Sequence, residues 1–319
     1  MDEFITMLRN VLMFVALALP GYALVRFGVI KQEQSGVLSK LLMYLALPFL
    51  IFSGTVNNLS FDKESLLTLG IVAVIGIAYT FVMFFASKPL VSMEKDKKTS
   101  GMMRFCAVFS NNGFLGIPLA VAVFGRDSQV FTVLILLNII NNVLMYTLGA
   151  YLVTGDPKNI QLKKAFLNPV LIAFLLGLAC NLLRIADHIP EVITFSEHFS
   201  GLVTPVSMTI LGIKLGSVPF ASLFKSGKLY YVSALKLILF PLVIIAALLP
   251  LRALLGNLQY EGMILGVFIA FAMPTAGLAT TFADEFDGDT QSAVIFTLGT
   301  TVLSVLTIPC IYWLVNLLI

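Results

Sequence analysis

Two apolar stretches of the sequence combine polar side chains with helix-breaking residues. The first is Ser110 to Pro118 (SNNGFLGIP), and the second is Met273 to Gly277 (MPTAG). Proline removes a backbone donor and clashes with the preceding turn, while glycine adds backbone freedom, so each stretch predicts an interrupted helix. The half-helix after an interruption presents unpaired N–H groups and the positive end of its dipole, which favour a bound anion. The candidate anion-binding residues are Asn111, Asn112, Gly113, Pro118, Pro274, Thr275 and Ala276.

Polar residues also share one face of two other predicted helices. Asn138, Asn141 and Asn142 are spaced by three and four positions, which places them on one helical face. They either hold neighbouring membrane helices together or line the anion site, and the spacing leaves both interpretations open. Asn142 is therefore included among the candidate substrate-binding residues. The same periodicity recurs in four hydroxyl residues, which we interpret as contacts between helices: Thr297, Thr300, Thr301 and Ser304.

One lysine lies inside an apolar stretch. Lys236 follows Lys228 by eight residues, which places it ~12 Å into the membrane at the rise of an α-helix. A lysine at that depth can extend its ammonium back to the interface, and we favour this interpretation. An intramembrane cation that attracts an anionic substrate is the alternative, so Lys236 is also a candidate substrate-binding residue.

The composition is that of an integral membrane protein. Of 319 residues, 59% are hydrophobic and 12% are charged, whereas soluble chains contain about 45–50% apolar and about 25% charged residues. The net charge of +3 comes from basic residues in short loops, which predicts an orientation in the lipid bilayer and no nucleic-acid partner. The three cysteines have no disulfide or metal-ligand spacing, so we expect no cofactor.

The apolar stretches predict an all-α integral membrane fold with ten spans. The predicted spans are Ile5 to Phe27, Val37 to Val56, Leu66 to Ser87, Gly101 to Phe124, Ser128 to Val153, Leu167 to Ala186, Phe195 to Gly216, Leu229 to Leu251, Tyr260 to Ala283 and Thr290 to Leu317.

The distribution of basic residues predicts the orientation of these spans. With the N-terminus outside, 14 lysines and arginines fall on the cytoplasmic side, Lys214 among them, and five fall on the opposite side, Arg252 among them. Because short cytoplasmic loops carry an excess of basic residues, we expect both termini to be extracytoplasmic. The expected location is the plasma membrane.

The spacing of prolines indicates an internal repeat. Pro48 and Pro205 are 157 residues apart, and Pro118 and Pro274 are 156 apart, in spans two and seven and in spans four and nine. Because each half has five spans, the halves, residues 1–156 and 157–319, would have inverted topologies. An ordinary kink explains one proline, and coincidence remains an alternative for two pairs, but paired interruptions in two halves are typical of a transport site.

These features favour a secondary transporter of small organic anions, either mono- or dicarboxylates. The sequence has no Gly-x-x-x-x-Gly-Lys-Ser/Thr loop, so ATP-driven pumping by this chain is disfavoured. An intramembrane enzyme is a weaker alternative, because neither His-Glu-x-x-His nor Gly-x-Ser-x-Gly occurs. A transport-inactive membrane sensor on the same fold stays open.

The sequence resembles the auxin efflux carrier family, which includes bacterial malonate and malate permeases. The segments that carry the resemblance are distributed over essentially the whole chain: Leu47 to Phe49, Ser110 to Pro118, Met273 to Thr275 with the following Ala283 to Phe286, and Ile308 to Pro309. The resemblance implies that spans one, two, six and seven form a scaffold that dimerises. It also implies that spans three to five and eight to ten move, with substrate bound where spans four and nine cross. The segment Thr154 to Phe166 is too short for the regulatory loop of the plant carriers.

The coupling ion is not determined by the sequence. Proton-driven carriers usually keep a titratable group within the membrane, but the acidic residues lie at or near span ends, with Glu261 and Asp284 nearest to the core of span nine. Sodium held by neutral oxygens, a proton brought by the substrate and uniport all remain open. We expect that no single carboxylate is an obligatory proton carrier.

Overall fold

The computed structural model describes residues 2–250 and 257–318. Within these ranges the regular structure is helical, and the one β feature is an isolated antiparallel bridge between Ser110 and Thr275. The predicted end of span eight, Leu251, and the outer-loop Arg252 lie outside the described residues.

Among the described residues, eight helices are long and apolar enough to cross a membrane, and they match eight of the ten predicted spans. They are α1 (Asp2–Arg26), α2 (Gln32–Asn58), α3 (Lys63–Leu90), α6 (Gln129–Thr154), α7 (Pro157–Leu182), α8 (Glu191–Gly216), α9 (Gly227–Leu248) and α12 (Thr290–Leu318). Their lengths reflect the need for about 20 residues to cross the hydrocarbon core.

The other two predicted spans are divided, as their proline and glycine content predicts. The first consists of α4 (Lys97–Val108) and α5 (Asn112–Phe124), and the second of α10 (Asn257–Ala272) and α11 (Ala279–Glu285). The interruptions in spans four and nine are therefore confirmed. They place non-helical backbone in the interior of the helix bundle, where it needs protein partners.

The two interruptions do not have the same relation to their prolines. Pro274 lies within the gap between α10 and α11, as expected. In span four the gap is Phe109 to Asn111, and Pro118 lies seven residues beyond it, inside α5. The expectation that Pro118 marks the break is therefore wrong. A wide π-turn, Asn112–Gly116, precedes Pro118 and gives its ring room beside the preceding carbonyls, so the helix continues.

The helices pack in two groups, which also contact each other through α1 and α12. In the first group α1 packs against α8, and α2 packs against both α7 and α8. In the second group α3 and α10 pack against α6, and α9 packs against α10 and α12. The contact between α1 and α8 depends on glycine, because a Cβ at Gly212 would lie 1.9 Å from the carbonyl oxygen of Ala18. Small residues of this kind allow membrane helices to approach closely.

Ion pairs join the segments at one end of the helices. Lys98 pairs with Asp287 at 2.7 Å, and Lys228 pairs with Glu94. The hydrogen bond from Lys228 holds the pKa of the Glu94 carboxyl below its usual range. Because both side chains of the Lys98–Asp287 pair are exposed, this pair orients the loops and adds little to the free energy of unfolding.

A candidate anion site at the helix crossing

The two interrupted segments cross and bond to each other through their backbones. The N–H of Asn111 donates to the carbonyl of Pro274 over 2.8 Å, and the N–H of Ala276 donates to the carbonyl of Phe109 over 3.0 Å. These bonds satisfy groups that the interruptions release. The amides of Asn111 and Ala276 are thus engaged in the crossing, and the amides at the start of α5 remain for a ligand.

Polar side chains of α6 and α12 fix the crossing from opposite sides. The side-chain amide of Asn141 donates to the carbonyl of Ser110 over 3.1 Å. The hydroxyl of Thr300 accepts from the N–H of Thr275 over 3.1 Å, and the hydroxyl of Thr275 donates to the carbonyl of Cys106 over 2.9 Å. The Thr300 hydroxyl therefore joins helices, as expected, and the candidate residue Thr275 uses its side chain to hold the crossing together.

Replacing Thr300 by valine should lower the stability of the crossing. The N–H of Thr275 would stay buried without its acceptor, which costs about 1–3 kcal/mol and should lower Tm by roughly 5 °C. The matched control is Thr301→Val, because the Thr301 hydroxyl donates within its own helix, to Thr297. Thermal unfolding in detergent would measure both, and equal losses of Tm would contradict the assigned role of Thr300.

Lys236 does not extend to the membrane interface. Its side chain is 0% exposed, and its Nζ donates to the hydroxyl of Ser110 over 2.5 Å and to the carbonyl of Val108 over 3.5 Å. The favoured interpretation of Lys236 as an interfacial lysine is therefore wrong. One backbone carbonyl and one side-chain hydroxyl of this crossing thus contact the Nζ of Lys236, which the structure pairs with no carboxylate among the described residues.

The structure separates the roles of the candidate residues in span four. Asn111 is half-buried and borders a cavity on each side of the crossing. Asn112 is buried, and its Oδ1 has no hydrogen-bond partner among the described residues. Gly113 borders one of the cavities, whereas Pro118 is buried inside α5 and borders neither. Asn111 and Gly113 are consequently the members of this group that a ligand in the cavities would meet.

The first cavity, here named the amide cavity, is lined by side-chain amides. Its volume is about 30 Å³, close to the share of one water molecule in the liquid. The amide of Asn168 donates to Asn142 over 3.5 Å, and that of Asn142 donates to Asn138 over 3.2 Å. These three side chains form a chain of hydrogen bonds, here named the amide relay. It ends at the Nδ2 of Asn138, which has no partner among the described residues. The candidate residue Ala276 of span nine lines the same cavity. It lies there together with Asn142 of α6, another candidate residue.

The second cavity, here named the hydroxyl cavity, lies on the other side of the crossing, between α8 and α12. Ser207, Thr297 and Thr301 line it, and its volume is also about 30 Å³. Lys214 belongs to this cavity, with its Nζ donating to the carbonyl of Gly277 over 3.4 Å. Lys214 was not among the predicted site residues, because a lysine near a span end fits the excess of basic residues on the cytoplasmic side. The apolar neighbours of Lys214 on α8 were a signal of its partial burial.

Both cavities border a larger vestibule. The vestibule has a volume of about 640 Å³ and shares Leu278 with the amide cavity and Lys214 with the hydroxyl cavity. Acidic and basic side chains line its wall, and one such pair is Lys164 with Glu285. The vestibule therefore provides a polar route from one face of the protein to the crossing.

Long apolar helices around two interrupted, crossing segments with a polar vestibule define a multi-pass membrane protein of the transporter class. The model of the membrane transport protein family matches residues 6–163 and, a second time, residues 156–312. The chain belongs to this family, and the resemblance to the auxin efflux carriers drawn from the sequence is confirmed.

Two archaeal proteins are similar to this chain. An uncharacterized transporter of Methanothermobacter thermautotrophicus is 29% identical over 315 residues, which covers 94% of this chain and 96% of that protein. An uncharacterized transporter of Methanocaldococcus jannaschii is 26% identical over 209 residues, which covers 64% of this chain and 68% of that protein. Both similarities agree with the family assignment.

Proposed function

We propose that the protein is a secondary transporter of small organic anions, mono- or dicarboxylates, which it moves by alternating access. A carboxylate of the substrate binds at the crossing of spans four and nine. Membership of the family establishes the transporter class, and the polar groups at the crossing support an anionic substrate.

The observation that carries the proposal is the unpaired donor of Asn138. Its side chain is 1% exposed, and its Nδ2 lies at the end of the amide relay without a partner among the described residues. Buried polar groups in proteins are nearly always hydrogen-bonded, so this donor implies an acceptor that enters from outside. A carboxylate oxygen is such an acceptor, and the first-turn amides of α5, which starts at Asn112, would add to its stabilisation.

The positive charge of Lys236 supports the same assignment. Its Nζ donates to the hydroxyl of Ser110 at the crossing, and an anion that enters beside it would stabilise the charged ammonium. The candidate residues Pro274 and Thr275 shape the backbone there, and Asn111, Gly113 and Ala276 form the cavity walls.

The packing of the helices in two groups supports a division of the protein into a fixed part and a moving part. We propose ten spans in two inverted repeats, residues 1–156 and 157–319, and the double match of the family model supports a duplication near this boundary. Spans one, two, six and seven, which pack together, would form a scaffold that pairs two copies into a homodimer. The second group of helices would carry the crossing from one side of the bilayer to the other.

The open vestibule supports the inward-facing state of the proposed transport cycle. It lies at the end of the helices that bears Lys40 and Lys164, which the positive-inside rule assigns to the cytoplasm. On this proposal the carrier faces inward in the plasma membrane, with both termini outside. Transport is either coupled to sodium or to a proton or is uniport, and proteoliposomes with imposed sodium or pH gradients would distinguish these three cases.

The experiment that tests the function is uptake of radiolabelled organic acids into proteoliposomes that contain the purified protein. Asn111→Ala should weaken uptake about 5-fold to 150-fold, because a substrate loses a hydrogen-bond partner in a buried site. Asn316→Ala is a matched control, since Asn316 lies near the end of α12 and away from the crossing. The absence of uptake of every tested mono- and dicarboxylate by the wild-type protein would refute the proposed function.

A further inference from the structure

The hydroxyl cavity contains a cation that is free to bind an anionic group. Lys214 lines both this cavity and the vestibule, and its Nζ makes one long hydrogen bond, 3.4 Å, to the carbonyl of Gly277. An ammonium has three donors, so further donors remain for a ligand. The neighbouring vestibule lysine, Lys164, is instead paired with Glu285. Within residues 2–250 and 257–318 the structure shows no such ion pair at Lys214.

A buried hydroxyl in the same cavity also lacks a partner. Thr297 is 5% exposed, and its Oγ1 forms no hydrogen bond within the described part of the chain. Like Lys214, Thr297 lines both the hydroxyl cavity and the vestibule. An unpaired buried hydroxyl indicates a missing polar partner, and beside an ammonium that partner would be an anion rather than a cation.

The two small cavities are adjacent. Asn111, Phe114 and Gly277 line both of them, so the amide cavity and the hydroxyl cavity share a wall at the crossing. Each has a volume of about 30 Å³, which is room for one small polar group and not for a whole organic anion. A ligand that uses both cavities must therefore carry two polar ends and a short link in the vestibule.

We infer that Lys214 and Thr297 bind one carboxylate of the substrate and that the transported anion is a short dicarboxylate, whose other carboxylate binds in the amide cavity. This inference rests on the proposed function and specifies its substrate class. Lys214 belongs to α8 of the proposed scaffold, and Gly277 belongs to the proposed moving part. A bound carboxylate would replace their direct hydrogen bond, so the same contact that selects a dicarboxylate also connects the two parts.

The test compares two three-carbon acids, malonate and propionate, on the purified full-length protein. Their affinities are measured from the rise in thermal stability with concentration. The wild-type protein should bind malonate at least about 10-fold more tightly than propionate. Lys214→Met should weaken malonate binding about 10-fold to 150-fold, the range for a lost hydrogen bond to a charged group, and change propionate binding less than about 3-fold. Lys214→Arg should retain most of the preference for malonate.

Two further variants make the result specific. Thr297→Val should weaken malonate binding about 5-fold or more, which tests the cavity independently if Lys214→Met does not fold. Lys163→Met removes the same charge from an exposed position outside the vestibule lining, and it should bind both acids as the wild type does. This control separates the local contact from the general electrostatic field.

The outcomes distinguish the inference from the function on which it rests. If the wild type binds these acids and Lys214→Met and Thr297→Val keep its preference for malonate, the second carboxylate site is wrong and the anion transporter stands. A wild-type protein that binds propionate as tightly as malonate also overturns the dicarboxylate assignment. If the wild type neither binds nor takes up any organic acid, the proposed function and the inference both fail.

Discussion

Replacing Lys236 by methionine should reduce the affinity for organic anions about 30-fold while the protein still folds. The ammonium of Lys236 is completely buried beside the crossing. At a separation on the order of 8 Å and an effective dielectric constant of about 20, one unit of charge contributes ~2 kcal/mol to an anion's binding, which corresponds to about 30-fold. Methionine has a similar length and suits the apolar surroundings, so the loss should appear in binding more than in Tm.

The measurement is binding of a radiolabelled organic acid to the purified variant, together with thermal unfolding. Lys236→Arg keeps the charge in a larger group and should retain more affinity than Lys236→Met. The matched control is Lys225→Met, which removes a charge from an exposed position in the segment between α8 and α9. Unchanged anion affinity in a well-folded Lys236→Met would show that the charge supports only the backbone of the crossing.

Replacing Gly113 by valine should abolish anion binding. A Cβ at Gly113 would lie 3.1 Å from Cδ2 of Leu47 and 3.4 Å from Oδ1 of Asn138. The further methyl groups of valine would occupy the amide cavity, whose volume of about 30 Å³ leaves no room for them and a carboxylate together. We expect a loss of at least about 100-fold in affinity, because the steric overlap removes the site rather than one of its contacts.

The control for this prediction is Gly70→Val. Gly70 lies on α3, where nothing stands within 4 Å of an added Cβ, so the same change of residue should leave anion binding unaltered. Gly113→Ala is a milder variant for the case in which valine prevents folding, and it should already weaken binding. Wild-type affinity in a folded Gly113→Val would exclude the amide cavity as the binding site.

The sequence predicted the helices better than the contacts among them. A continuous apolar stretch of about 20 residues is a local signal, and eight such stretches formed helices near the predicted bounds. The interruptions in spans four and nine were also predicted, because glycine, proline and polar residues act on the backbone close to their own positions. The exact gap in span four was not predicted, since a π-turn lets α5 continue through Pro118.

By itself, then, the sequence determined the class of protein, the approximate spans and the two segments that are interrupted. The tertiary structure decided which side chains meet at the crossing, because those contacts join distant positions: Lys236 reaches Ser110 across 126 residues, and Lys214 reaches Gly277 across 63. No local pattern specifies such a contact, since it depends on how each helix is rotated and which neighbour it packs against. For the same reason Lys214 and Lys236 were both predicted to place their charge near the interface, and the packing of α8 and α9 brought both to the crossing.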